Sequence, residues 1–457
     1  MRSRTATAAA LLIALAIPAA AAAGPPGKWT QVSGPHDNTH EPGLARTPDG
    51  ALHLLWTRQQ GIAGTVMHSS LAPNAKTVTA PSPVYHYPGG VNTSVQLLAA
   101  PGGGLRALFA GLAPGDPLDQ GMATAVSTDG SAWSVQPTLA SQAAPGGAAS
   151  KVYTASGIGG AIDTGGTTIS TWGDSGLGEG GWHLGLSAAT LDLRFGADCC
   201  AYDPNVGIDA VSGAAVVAWK RIGNGQSPDG TFAQSIAPAG QRYSSPNAGA
   251  ADTGSRTGIS GRIGAPGVYV AYQSGTNEFL SRPALWRFGT PKAKLLAKQR
   301  GARSIGIAPA PGGRLWVFWS HRGRVVARRS NPQATVFGAA VSAPMPKGGR
   351  AIHGLAGEGS RGPLDAVALI DRNGTIHNWH QRLLPGLTVA AKGGKGKATF
   401  VVSDAGAKLG GAKVLAGGKS TATKASGRAA LKLAPGRYRI RVTRKGYAPA
   451  TGRIRVK

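Results

Sequence analysis

Two short segments gather the side chains best able to do chemistry. Thr39-His-Glu-Pro42 places His40 beside Glu41, and Asp198-Cys-Cys-Ala-Tyr-Asp203 brackets two cysteines with carboxylates. Cleaving a glycosidic bond takes two carboxyl groups about 5–9 Å apart, one to protonate the leaving oxygen and one to act as base or nucleophile. If the protein is an enzyme, Glu41 and Asp203 are the pair to expect. The cationic and polar residues His40, Asn92, Tyr153, Asp198, Arg256, Arg303 and His353 suit a different task. Guanidinium groups pair bidentately with carboxylates, and such a set fits an anionic or polyhydroxylated ligand.

Cys199 and Cys200 are adjacent and are the only cysteines in the chain. Neighbouring Cα atoms are about 3.8 Å apart, so a bridge between them is a strained vicinal disulfide. Two sulfurs with no nearby histidine pair fall short of a four-ligand zinc site, so neither a metal nor a cofactor is expected.

These residues lie far apart in the chain, and a repeat is what brings them together. Between Trp29 and Leu387 a small polar cluster, a short apolar strand, a glycine turn and a β-branched or aromatic strand recur seven times. The second strands are Ala51–Trp56, Leu105–Phe109, Thr167–Trp172, Ala214–Trp219, Val268–Tyr272, Leu315–Trp319 and Ala366–Ile370. Their last residues are 53, 63, 47, 53, 47 and 51 positions apart. That period suits four-stranded blades, and a blade buries both faces only when a ring closes around it.

The expected fold is therefore all-β: a six- or seven-bladed β-propeller, seven preferred, followed by a small β-sandwich. Six remains open because the 63-residue interval has room for an insertion. Counting back 16 to 19 residues from each strand end gives His40, Asn92, Thr154, Cys200, Ser255, Arg303 and His353. These positions crowd the propeller axis. The tryptophans at the strand ends are read as packing between blades.

Thr47-Pro-Asp-Gly50, Ser127-Thr-Asp-Gly-Ser-Ala-Trp133 and Ser227-Pro-Asp-Gly-Thr-Phe232 resemble the Asp-box turns of sialidase-like, BNR-repeat propellers. The resemblance implies that fold and an exo-acting glycoside hydrolase or lyase as one possible activity. The chain departs from that family at its early aromatic-Arg-Ile-Pro motif. His40 and Glu41 stand where the carboxylate-binding arginine and the isoleucine are expected.

The two ends differ from the repeat. Arg2 and Arg4, the apolar run Ala8–Ile17, and Pro18 with the small residues Ala19–Ala23 have the order of a secretory signal, so residues 1–23 are expected to be removed. No later stretch is apolar enough to span a membrane.

Residues 24–386 then form the propeller and 387–457 a separate basic unit, with 17 Lys and Arg against the single acid Asp404. Gly410-Gly-Ala-Lys-Val414, Pro435-Gly-Arg-Tyr438 and Lys445-Gly-Tyr447 resemble the carboxypeptidase regulatory-like, transthyretin-related sandwich. There Tyr438, Ile440 and Val442 alternate with Arg437, Arg439 and Arg441, and Ile454 and Val456 with Arg453 and Arg455. If these strands are neighbours, five arginines share one outer face and suit a polyanion.

Together these features lead us to expect a secreted, extracellular or cell-surface protein. Its propeller axis binds a glycan, cell-wall polymer or other polar ligand, and its basic sandwich holds an anionic surface. Sequence-specific nucleic-acid binding is not expected, since no recognition helix or stacking aromatic array appears.

Overall fold

The computed structural model describes residues 28–457, leaving out 37–39, 61–62, 75–76, 88–94, 111–121, 137–156, 176–181, 189–190, 196–200, 222–229, 238, 248–255 and 276–279. The expected leader and Asn92, Tyr153, Thr154, Asp198, Cys199, Cys200 and Ser255 thus lie outside the described residues.

Seven four-stranded antiparallel sheets follow one another along the chain. Their innermost strands are Gly43–Arg46, Gln96–Ala99, Ile158–Ile162, Ala201–Ile208, Gly258–Arg262, Arg303–Ala310 and Gly349–Glu358. Each packs on the next, and the seventh returns to the first. The ring therefore has seven blades, numbered here in that order. All seven strands expected from the repeat are found as the second strand of a blade, from Leu52–Gln60 in blade 1 to Leu364–Arg372 in blade 7.

Burial on both faces explains why these second strands stand out in the sequence. Both of their faces meet neighbouring blades, so they are apolar almost throughout, and Trp56, Trp172, Trp219 and Trp319 are all buried. The innermost strands carry a different signature. They crowd a narrow axis, and glycine replaces side chains where backbones or rings come close. A Cβ on Gly306 would lie 2.3 Å from the Phe318 ring, and one on Gly357 would lie 2.5 Å from the same ring. Phe318 is seated between these two strands.

The ring closes at its chain ends. Thr30–Gln31 forms the outer strand of blade 7, with Thr30 opposite His380 and Gln31 opposite Trp379. Beneath that seam Arg46 of blade 1 reaches Glu358 and Asp365 of blade 7. Asp365 also accepts from His380 Nε2 at 2.8 Å and from Arg382 Nε at 2.7 Å. Burial opposes ionisation there, yet the hydrogen bonds from His380 and Arg382 hold the Asp365 carboxyl far below the usual carboxylate range.

The aspartates of the short turns work locally. Asp49 Oδ1 accepts the Ala51 N–H at 3.1 Å, and Asp129 Oδ1 accepts the Ser131 N–H at 2.8 Å. Asp163 does the same for Gly165 and Thr167. In the third Asp-box-like segment, Gly230, Thr231 and Phe232 belong to Gly230–Ala237, the third strand of blade 4, and its first three residues lie outside the described residues.

After Leu383 the chain forms two further sheets. One joins Thr388–Gly394, Lys397–Asp404, Ala407–Lys408 and Arg428–Lys432, and the other orders Lys419–Ala422, Lys413–Ala416, Gly436–Thr443 and Ala450–Val456. Phe400, Val402, Val414, Ile440, Val442, Ile454 and Val456 fill the space between them. The sandwich docks on blade 6. Its Asp404 is paired with Arg329 at 2.6 Å and lies 3.5 Å from Arg314, and the Tyr447 hydroxyl donates to it at 3.1 Å.

Candidate functional site

Innermost strands run from a mouth, where each blade receives the chain from the previous one, to the opposite end of the axis. Connections from second to third strands and from one blade to the next fall at the mouth, and the 63-residue interval contains two stretches outside the described residues, 111–121 and 137–156. The far-side turns between first and second strands, such as Thr47–Ala51, are short. Long loops on one end of a rigid scaffold are where binding residues concentrate.

Glu41 immediately precedes the innermost strand of blade 1, and Arg256 precedes that of blade 5. They meet across the axis, the Arg256 backbone N–H donating to Glu41 Oε2 at 2.6 Å. The Arg256 guanidinium donates to the Val95 carbonyl of blade 2. One arginine thus links three blades and crosses the mouth end of the axis. Burial raises Glu41 to about 7, against the pull of Arg256 and Lys220. Burial likewise holds Arg256 below its ordinary value. Next to this pair, burial and then the charge of Arg256 lower His40.

Asp203 comes from the innermost strand of blade 4. Its φ of 51° places a non-glycine residue in the left-handed region, which costs of order 1–3 kcal/mol and clusters at functional sites. The strand bulges there, between Tyr202 and Asn205. Ser304, at the equivalent bulge of blade 6, has a φ of 47°. Asp203 carries an ion pair with Lys220 at 3.5 Å, and its carbonyl accepts the Thr257 N–H at 3.1 Å. Glu41 and Asp203 are 5% and 3% exposed, so both carboxyls are held inside the protein. Both influence Arg256.

A cavity of about 360 Å³ extends along the axis from Glu41 and Arg256 towards Arg46 and Glu358. Three buried polar atoms of its lining residues have no hydrogen-bond partner: Arg256 Nε, Gln96 Oε1 and Thr257 Oγ1. Each costs about 1–3 kcal/mol if left unmet.

Of the expected site residues, the structure brings Glu41, Asp203, Arg256 and His40 into one electrostatic cluster. Arg303 and His353 begin or lie within the innermost strands of blades 6 and 7, and both are exposed. Lys220 and Gln96 are members that the sequence did not single out. Lys220 directly follows the Trp219 strand end, and that position is the signal that could have found it.

The five expected arginines of the sandwich share a sheet. Arg437 is opposite Arg455 and Arg439 opposite Arg453, while Arg441 faces Thr451. All five are exposed.

Residues 398–457 match the carboxypeptidase regulatory-like domain. No curated protein matches the chain. Among solved structures, the chain is similar to a polysaccharide lyase at 10% identity and a TM-score of 0.43, over 75% of this chain and 89% of that one. An ulvan lyase bound to a GlcA–Rha3S saccharide gives 10% identity and a TM-score of 0.44, over 78% and 94%. The Trypanosoma rangeli sialidase gives 9% identity and a TM-score of 0.45, over 75% of this chain and 55% of that one, so the chain spans about half of that enzyme.

Proposed function

We propose that this is a secreted binding protein whose propeller axis takes a carbohydrate or other polar ligand. The observation that carries it is the axial cavity with its three unmet polar atoms. At about 360 Å³ it falls within the range of small-molecule sites. An acceptor on Gln96, a donor on Arg256 and a hydroxyl on Thr257 suit a polyhydroxylated molecule, which can both give and take hydrogen bonds. The carboxyls of Glu41 and Asp203 are already engaged, by Arg256 and by Lys220, and this favours holding a ligand over turning it over. The mouth-side residues His40, Arg303 and His353, together with Asn92, Tyr153 and Asp198, belong to the same proposed site.

An exo-acting glycoside hydrolase or lyase is the second reading. It is favoured by Glu41, whose proton is retained to about pH 7 as a general acid requires.

A panel of sialylated, uronic and neutral glycans incubated with the full chain, followed by mass measurement, separates the two. Retention of one intact glycan supports binding. Loss of a sugar unit, abolished by Glu41→Gln or Asp203→Asn, overturns it in favour of the hydrolase or lyase.

The sandwich supplies the second half of the proposal, attachment to an anionic surface outside the cell. Arginines directly opposite one another repel unless an anion lies over them. The domain's single acid, Asp404, is buried against Arg329 and does not neutralise them. Among the described residues no helix is long and apolar enough to cross a membrane, so such attachment rests on charge. Co-sedimentation with anionic vesicles that weakens with salt and with Arg439→Ser/Arg453→Ser is the expected result. Equal binding to neutral vesicles argues against it.

A further inference from the structure

A second site is visible where charge and shape coincide away from the axis. From residue 279 to residue 357 the chain has 14 Lys and Arg and no Asp or Glu. This stretch forms most of blade 5's outer half, all of blade 6 and the start of blade 7. With net +28 for the whole sequence and +16 for residues 387–457, the rest of the protein is close to balanced. The propeller's excess positive charge is therefore concentrated on one flank.

On that flank two cavities meet. One, of about 680 Å³, is lined by Arg282, Lys298, His321, Arg324 and Arg328 over the Trp319 side chain. The other, of about 390 Å³, is lined by Arg282, Arg300, Tyr272 and Leu280. They share Arg282 and Leu295. Among the described residues no carboxylate lines either cavity. Leu280 and Leu295 are 43% and 45% exposed, unusual for large apolar side chains.

The floor is built, not incidental. Arg328 donates to the carbonyls of Gly338 at 2.9 Å, Leu296 at 2.5 Å and Phe337 at 3.2 Å, stitching blade 5 to blade 6. Those bonds fix its geometry but bring no negative charge. Burial alone lowers its pKa. Arg324 is oriented by the Ser342 hydroxyl at 2.9 Å.

We infer that this groove between blades 5 and 6 binds an anionic oligosaccharide, one carrying carboxylate or sulfate groups along the chain. Guanidinium and ammonium groups on both walls match the anions, and Leu280 and Leu295 match the apolar faces of sugar rings. Two joined cavities call for an oligomer. A single-stranded nucleic acid also carries regular negative charge but gains its affinity from exposed aromatic platforms. Trp319 and Tyr272 are buried at 3% and 4% exposure and leave bases nothing to stack on. The inference is independent of the axial site.

Calorimetric titration of the full chain with oligogalacturonates of increasing length, and with uncharged maltooligosaccharides of the same lengths, tests it. Affinity is expected to rise with length for the charged series alone. It is expected to fall on the order of tenfold or more in Lys298→Gln/Arg324→Gln, two exposed positions whose change spares the core. Lys298→Arg/Arg324→Lys should retain most of it, and Arg439→Ser/Arg453→Ser in the sandwich should leave it in place. Three results would overturn the inference: unchanged affinity in the charge-removing pair, loss only in the sandwich variant, or a single-stranded oligonucleotide bound more tightly than the oligogalacturonate.

Discussion

Glu41 is a carboxylate whose environment favours the neutral form, and the consequence for stability has a definite sign. Its pKa rises from 4.5 to about 7 on folding. The folded state keeps a proton that the unfolded chain releases, so this contribution is fully present below about 4.5 and is lost as pH climbs to about 7. The loss amounts to roughly 3 kcal/mol. Glu41→Gln is expected to flatten the fall in thermal midpoint over that interval, as read by unfolding at a series of pH values. Asp365 acts in the opposite sense. Its depressed pKa contributes stability above its ordinary 3.8 that disappears in acid. Asp365→Asn should cost about 3–5 kcal/mol at neutral pH, because the buried Arg382 is left without its anion and Arg46 keeps only Glu358.

At the scale of elements, blades 1 and 2 meet through a histidine pair. His53 Nδ1 and His68 Nε2 are 3.0 Å apart with stacked rings, and the turn that carries Asp129 and Gly130 lies over them. Gly130 has a φ of 87°, and a Cβ there would approach His68 to 2.7 Å, so Gly130→Ala should loosen this contact. Burial, then His53, lowers His68 from 6.5 to about 4, while Asp129 pulls the other way. The unfolded chain takes up a proton first, so stability present above 6.5 falls by up to about 3 kcal/mol as pH drops to about 4. Protection factors, corrected for the intrinsic exchange rate at each pH, should fall in Leu52–Gln60 and Ala63–Leu71 across that range, and His68→Gln should remove the effect.

The same scale shows what could be seen in the sequence. Seven second strands were legible because most are apolar on both faces and each has a large residue at its end, Trp172 marking the more polar Thr168–Ser175. The alternation of arginine with Ile440, Val442, Ile454 and Val456 likewise foretold the basic sheet. The axial cluster was legible in part: position in the repeat pointed to Glu41 and Asp203. The Arg256 link across the ring depends on blade 5 facing blade 1, which no spacing encodes. The left-handed backbone of Asp203 and Ser304 comes from bulges, and those appear only when strands pair. The groove was hidden because its walls come from two blades.

For the whole molecule, the decisive contact is between its two domains. Asp404 is 2% exposed and neutralises Arg329, which also lies over the Tyr447 ring at 5.7 Å. Asp404→Asn leaves the half-buried guanidinium of Arg329 unpaired and should cost on the order of 3 kcal/mol. Calorimetry is expected to show one unfolding transition in the parent and two in the variant, with the sandwich separating from the propeller. A single unchanged transition would mean that the backbone bridges at Gly386 suffice to join them.

The pairing of Thr30 with His380 also imposes an order on biogenesis. The first described strand, Thr30–Gln31, cannot find its partner until the last blade has been made, so no shorter part of the propeller can close its ring. A nascent chain in that condition stays open and threadable while it lengthens. On the proposed export of the chain through a narrow channel, the seam would act as a timer, deferring final closure until the whole repeat has reached the far side.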